Sequence, residues 1–486
     1  MKNCLKVFIA GAAVALFSAC TVGPDYVRPD TDTPAAFKEG WKTAQPRDGE
    51  LRGDWWESFG DPLLSNLLKQ VSISNQNLAL AEAQYRQARA LVQSARSGYM
   101  PTVSAGASAD RSRSSASGIS INRGERDNYS VSLDAVWEID IWGRVRRGVE
   151  SSEAGAQASA ADLESLRLSA QAELATNYFQ LRSLDTQQLL LDDTVVAYER
   201  SLKLTENQYA AGIVAKADVV QAQTQLKSTQ AQALDVGVQR AQLEHAIALL
   251  IGKPASTFTI EPAPLVAEPP HVPAGLPSDL LERRPDVAAA ERRMAQANAE
   301  IGVAKAAYYP TLSLSAVVGF QSSVLSDLIS APNRFWSVGP ALAQTLFDGG
   351  ARRALSDNAI AAYDGNVAFY RQTVLTGFKE VEDNLAALRI LEEEARIQDE
   401  AVQSARQSVL LTTNQYKAGL VGYLNVIVVQ AAALNVERNA VDIRNRRLAA
   451  SVGLIKALGG GWKASDLPGD LAAGEPSAAA KSTAPQ

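Results

Sequence analysis

Two runs of about 60 residues, 144 to 206 and 350 to 413, contain no proline and are built from helix-favouring side chains. At about 1.5 Å per residue each run makes roughly 90 to 95 Å of helix, where a globular helix averages about 11 to 12 residues. A Tyr-x-x-Gly turn follows each, and a shorter helix returns over 216 to 250 and 422 to 457. Other helical stretches, 63 to 98 and 279 to 307, precede the long runs and stop at Tyr-x-Pro, where proline forbids continuation. A returning helix stacked on a preceding one spans roughly 105 Å at the same rise, so each stacked pair matches one long helix. The architecture this dictates is a tall hairpin.

The chain holds this unit twice. NQYAAG (207 to 212) returns as NQYKAG (414 to 419), and Tyr209, Gly212, Val219 and Gln223 match Tyr416, Gly419, Val426 and Gln430 at one offset of 207 residues. Tyr99-Met100-Pro101-Thr102 matches Tyr308-Tyr309-Pro310-Thr311, and IWGRVRR (141 to 147) matches FDGGARR (347 to 353) with one gap. Such self-similarity marks a repeated structural unit. The expected division is a first repeat over 61–250 and a second over 278–458, joined by a Pro-rich connector, 251–277, and followed by a flexible tail, 459–486.

Between the preceding helix and the long helix of each repeat the period changes from helical to two. Tyr129, Val131, Leu133, Ala135, Trp137 and Ile139 alternate with Ser130, Ser132, Asp134, Glu138 and Asp140, and Val103 to Ala109 alternate with Ser104, Gly106 and Ser108. The second repeat does the same with Leu312, Leu314, Ala316, Val318 and Phe320, then Trp336, Val338, Leu342 and Leu346. Two-faced strand pairs are expected over 101–141 and 310–347. Pro340 interrupts the last strand and implies a bend or an unpaired position. Four strands cannot close a membrane barrel, and an open edge in lipid leaves backbone groups unpaired, so several chains must contribute; three would give twelve strands.

Composition removes the main rivals. The 47 basic and 53 acidic residues leave a net charge of −6, with no general drive toward nucleic acid. His245, His271, Cys4 and Cys20 are the only histidines and cysteines in the sequence, too few for a usual four-ligand His/Cys zinc site, and no metal site is expected. Gly252-Lys253-Pro254 lacks the upstream glycine and the Ser/Thr of a phosphate loop. His245 reads as packed or solvated, and no catalytic constellation is present. The N-terminus is a secretory signal, 1–19: Lys2 and Lys6 flank an apolar run from Val7 to Phe17, and Ser18-Ala19 precede Cys20. Either the signal is cut as an ordinary one, or Cys20 becomes an acylated first residue. The lipoprotein reading makes 20–60 a lipid-anchored extended segment, with the covalent lipid on Cys20 and no other cofactor. Thr21 rather than aspartate follows, which directs the anchor to the outer membrane.

CTVGPDYVRP (20 to 29), DWWESFGDPLLSNLL (54 to 68), SDLLERRPDVAAAERRMAQANAEIGVAKAAYYPTLSL (278 to 314), FDGGARR and the two NQYxAG turns together resemble the outer membrane lipoproteins of the TolC/OprM type, in the NodT-like branch. The resemblance covers residues 16 to 462. It implies a mainly α fold with a transmembrane β-barrel: a homotrimer whose helical hairpins form a twelve-helix periplasmic tunnel beneath a twelve-stranded barrel, four strands per chain. It implies a passive exit duct in the outer membrane, not an enzyme. A periplasmic adaptor would join it to an inner-membrane transporter, commonly of the RND class, for efflux of antibiotics, aromatic acids or similar compounds. A duct for type I protein secretion and, further off, the adaptor itself are the alternatives.

The resemblance also gives roles to the repeat positions. Tyr209, Gly212 and Asp218, with Tyr416, Gly419, Asn425 and Val428, would lie at the closed periplasmic aperture and adaptor contact. On helix physics alone each glycine ends a helix, each tyrosine packs beside it and Asp218 N-caps the returning helix. Val428 stands where the family often has aspartate, in a pattern like YLxVLDAQ, which points to a hydrophobic constriction. Gly143, Gly349 and Gly350 read as strand-to-helix joints. Trp137, Trp142, Phe335, Trp336 and Phe347 could form aromatic girdles, with Trp142 and Phe347 equally suited to a core.

Overall fold

The computed structural model describes residues 21–30, 33–34, 36–38, 54–113, 125–270 and 280–468. Cys20 and the signal segment lie outside them. A short 3-10 turn, Trp55–Phe59, opens the first repeat, followed by α1 (Pro62–Ser74), α2 (Gln76–Ser97), β1 (Thr102–Arg113), β2 (Glu125–Ile139), α3 (Arg144–Ala210) and α4 (Lys216–Leu250). After the connector and one turn at Leu280–Arg283, the second repeat runs α5 (Pro285–Ala306), β3 (Thr311–Ser322), β4 (Arg334–Ala343), α6 (Ala351–Lys417) and α7 (Tyr423–Ala457).

The long helices α3 and α6 have 67 residues each, about 100 Å. They outrun the expected 60 because the helix continues through NQYxAG up to its glycine. The stretch 63 to 98 is not one helix. Asn75 breaks it with extended backbone (ψ 122°), and its side chain accepts from the amides of Asn77 and Leu78, capping α2. An asparagine that caps a new helix competes with continuing the old one.

The four strands form one antiparallel sheet in the order β1-β2-β3-β4. Leu133 faces Ala105 and Val318, and Ala316 faces Val338, so one face collects Val, Leu, Ala and Trp while Ser104, Ser132, Asp134 and Ser315 share the other. Pro340 does not unpair β4: it sits opposite Leu314 within a continuous ladder. β4 is the sheet's edge, the one place where a strand tolerates a missing N–H. The strand ends at Ala343, short of the Leu346 anticipated from alternation.

Packing concentrates halfway along the hairpins. Trp55, Trp56, Phe59, Leu64, Leu68, Tyr178, Phe179, Ile247, Leu448 and Ile455 form the largest buried cluster, with Phe59 and Phe179 rings 5.0 Å apart. A second cluster joins Met294, Tyr370, Val374, Phe378 and Val381. Where α3 meets α5, Ala161 lies against Ala288 and Ala289, small side chains that let the backbones approach closely. The connector is strapped down. Arg182 and Arg240 donate to the carbonyls of Glu261 and Ile260, and Asp185 accepts from the amide of Ala263. The tail is also partly built, against expectation: Trp462 and Leu467 pack on the same alanines, so 459–468 belongs to the fold, because two apolar side chains outweigh a Gly-rich composition.

Candidate functional site

The structure has two ends, the open sheet and the hairpin turns, separated by helices about 100 Å long. At the turns, α3 closes in a Schellman motif: Gly212 N–H bonds to the Tyr209 carbonyl at 2.9 Å, Ile213 N–H to that of Gln208 at 2.9 Å, and Gly212 has φ +73°. The second turn repeats it with Gly419 to Tyr416 and Leu420 to Gln415, both 2.9 Å, and φ +71°. Only glycine takes that left-handed backbone without cost, so both glycines end helices.

The two tyrosines differ. Tyr209 is 46% exposed, whereas Tyr416 is 4% exposed. The Tyr416 hydroxyl lies 3.3 Å from Thr205 Oγ1, its ring centroid is 5.3 Å from that of Tyr423, and the Tyr423 hydroxyl lies 3.0 Å from Ser201 Oγ. Ala222 and Val426 complete this cluster, so the second hairpin is latched onto the first through α3. Burial pushes the Tyr416 and Tyr423 phenols above their ordinary value, and both remain neutral hydroxyls. Tyr423, Thr205 and Ser201 were not singled out in the sequence. Lys216 occupies Tyr423's place in the first repeat, and that difference was the available signal.

Asp218 does not cap α4. Ala215 holds the N-cap position, and Asp218 is the third helical residue, where its charge faces the helix's positive end. Asn425 sits at the same place in α7, its Nδ2 donating to the Gly422 carbonyl at 3.4 Å. Val428 is 59% exposed.

At the other end, Gly143, Gly349 and Gly350 have φ of +79°, +64° and +94° and lead the strands into α3 and α6. Gly143 and Gly350 hold the N-cap positions, and the amides at these helix starts are satisfied from further back by aspartates that sequence reading missed. Asp140 accepts from the amides of Val145 and Arg146, and Asp348 from those of Gly350 and Arg352. Trp142 stacks on Tyr309 at 4.7 Å and donates to the Pro310 carbonyl, which makes it a packed joint residue. Trp137 donates to the Tyr99 carbonyl. Trp336 and Phe347 are exposed, and Phe335 packs over Gly319. Gly252 and Lys253 are the Schellman end of α4. His245 is exposed, and among the described residues no three His, Cys, Asp or Glu side chains cluster as a metal site. No described helix is long and apolar enough to cross a membrane.

A two-faced open sheet continuous with two hairpins about 100 Å tall is the architecture of a membrane duct. The outer membrane efflux protein family model matches residues 67–253 and 276–460, and the chain belongs to that family. It is 31% identical over 471 residues to the pyoverdine export outer membrane protein OpmQ of Pseudomonas aeruginosa, covering 95% of this chain and 98% of that protein. It is 31% identical over 465 residues to the solvent efflux pump outer membrane protein SrpC of Pseudomonas putida, covering 93% and 98%. Among solved structures, the outer-membrane channel OprN matches with a TM-score of 0.85 at 33% identity, over 91% of this chain and 100% of that one. The open-state MtrE outer membrane channel of Neisseria gonorrhoeae gives 0.82 at 27%, over 92% and 99%. The protein is thus the outer membrane exit duct of an efflux pump and reaches into the periplasm.

Proposed function

We propose that three copies assemble into a twelve-stranded barrel over a twelve-helix tunnel, that the tips dock a periplasmic adaptor, and that an RND-class transporter drives small toxic compounds through it. The observation that carries this is the sheet itself, apolar on one face, polar on the other and open at both edges. In lipid each unpaired backbone group costs several kcal/mol, so such a sheet is stable only when closed by further copies. The polar face then lines water. The names of relatives, which export pyoverdine, solvents and toluene, favour small-molecule cargo. The duct supplies a path and no covalent chemistry, and needs no cofactor beyond its lipid.

The lipid sits on Cys20. Its neighbour Thr21 lies against Gly143 at a strand-to-helix joint and accepts from Arg146 at 2.9 Å, and Val22 N–H bonds to the Trp142 carbonyl. That holds the chain's start at the level where barrel meets tunnel, within reach of a membrane surface. Tyr209, Gly212, Asp218, Tyr416, Gly419, Asn425 and Val428 form the aperture and adaptor contact, with Val428 as an apolar constriction.

Conductance of the purified protein in planar bilayers, with its mass measured in the same detergent, tests the reading. A trimer that conducts, and conducts more when the Tyr416 latch is cut, is expected; a monomer that never conducts overturns it.

A further inference from the structure

Three contacts inside the first repeat recur inside the second at the same displacements. Thr102 faces Val136 in the first hairpin and Thr311 faces Ala343 in the second, so the register is conserved with displacements of 209 for the first strand and 207 for the second. The same displacements relate Ser74 and Gly252, packed together, to Arg283 and Gly459, packed together. They also relate the hydrogen bond from Asn75 to the Leu250 carbonyl to the one from Arg284 to that of Ala457. At these contacts the duplication holds at the level of single residues.

Within one chain the repeats meet at a seam where β2 pairs with β3 and Ala135 faces Ala316. The outer flanks of the chain carry the equivalents of that seam uncovered. Every residue of β1 is exposed, and Leu342 on β4 is 70% exposed. Along the helices, Leu168 and Ala289 are buried at 9% and 1%, while their equivalents Leu375 on α6 and Leu80 on α2 stand 57% and 59% exposed. The ends of the chain thus present the two halves of a joint already made once in its middle.

We propose that the joint between neighbouring subunits repeats the internal one residue for residue, so that β4 pairs antiparallel with β1 of the next copy and Leu342 faces the partner's Ala107. Displacing Ala135 by 207 gives Leu342, and displacing Ala316 back by 209 gives Ala107. The neighbouring pair Leu133 and Val318 becomes Pro340 opposite the partner's Ala109. The proposal rests on the assembled-duct reading, which requires closure but fixes no register.

One independent condition checks the transfer. A slip of one residue turns every side chain to the wrong face, and the displacements were set by contacts inside the repeats, not by polarity across the joint. Leu342 shares the apolar face with Leu312 and Ile139, and Ala107 shares it with Val131 and Phe320, so the derived register sets apolar on apolar. Registers slipped by two residues keep the faces and set Leu342 against the partner's Ala105 or the partner's Ala109. They are the competitors to be tested.

No cysteine follows Cys20 in the sequence, so engineered pairs are read on a clean background. Directly opposed Cβ atoms lie about 4.5–5.5 Å apart and diagonal ones roughly 7–8 Å. The full-length protein carrying L342C with A107C, oxidised in outer membranes and run unreduced, should shift from the one-chain band to two- and three-chain bands. L342C with A105C or with A109C should give markedly less, and each single cysteine none. Dominant cross-linking of a slipped pair overturns the register while the assembly stands. A trimer in detergent that cross-links through none of the three pairs overturns the β4–β1 joint. A non-conducting monomer defeats the assembled duct as well, and the mass measurement tells these outcomes apart.

Discussion

Asn75 Nδ2 donates to the Leu250 carbonyl at 2.7 Å, and Arg284 Nη1 donates to the Ala457 carbonyl at 3.0 Å. Each bond ties the start of the helix that leads to the strands to the end of the returning helix, so the two short helices stack as one column beside their long partner. Different chemistry fills the same mechanical role: an amide that also caps α2, and a guanidinium that also pairs with Asp286 and Glu380.

Replacing Asn75 separates the two jobs. N75A loses the cap, worth about 1 kcal/mol, and orphans the Leu250 carbonyl at about 1–3 kcal/mol. A fall of roughly 2–4 kcal/mol in resistance to denaturant follows from the same two terms. N75D keeps a capping oxygen but has nothing to donate to Leu250 when ionised, and should fall between wild type and N75A. Equal stability of N75D and wild type would show that the donated bond contributes nothing.

The latch at the turns predicts an asymmetric response. Y416F removes the hydroxyl that meets Thr205, and Y423F the one that meets Ser201. Each net bond is worth about 1 kcal/mol, about a five-fold shift between latched and released hairpins. Single-channel recordings should show more frequent or larger openings for both. Y209F, at a position exposed on its own chain and outside the latch, should change recordings of the isolated protein less than Y416F does. Equal effects from Y209F and Y416F would contradict the latch.

Asp185 holds the connector. Its carboxylate is 2% exposed and meets Arg182 at 3.0 Å, Arg240 at 2.6 Å and the amide of Ala263 at 3.0 Å. D185A leaves two arginines without their buried partner, a loss of about 3–5 kcal/mol. Limited proteolysis should then cut within 251–277 much faster than in wild type, and an unchanged cutting rate would sink the strap.

The duplication, the proline stops and the period-two strands were legible because each is a local pattern of side-chain size and polarity. The break at Asn75 was not, since a single capping side chain decides it inside an otherwise helical run. Tyr209 and Tyr416 share one motif and differ in environment because only Tyr416 has α3 of its own chain beside it. Sequence placed both at a turn; neighbours decided which was buried. Trp462 and Leu467 escaped for a related reason, as their partners Ala161, Ala288 and Ala289 lie far away in the chain.

Asp348, outside the strands at the start of α6, gives the pH dependence. Its Oδ2 accepts from Arg352 Nε at 2.6 Å and from the Arg352 amide at 3.2 Å, and its Oδ1 accepts from the Gly350 amide at 3.0 Å. The Arg352 side chain first, then the two amides, hold its carboxyl below the ordinary value of 3.8. Hydrogen bonds to the ionised form favour that form. Because the folded value is depressed, the stabilisation is present above pH 3.8 and is lost as pH falls through the lower folded value. D348N lacks that titration. The melting temperature of wild type should exceed that of D348N at neutral pH, and the gap should close as pH drops below 3.8. A gap that stays constant down to strongly acid pH would mean that Asp348 supports the joint by shape alone, not through its charge.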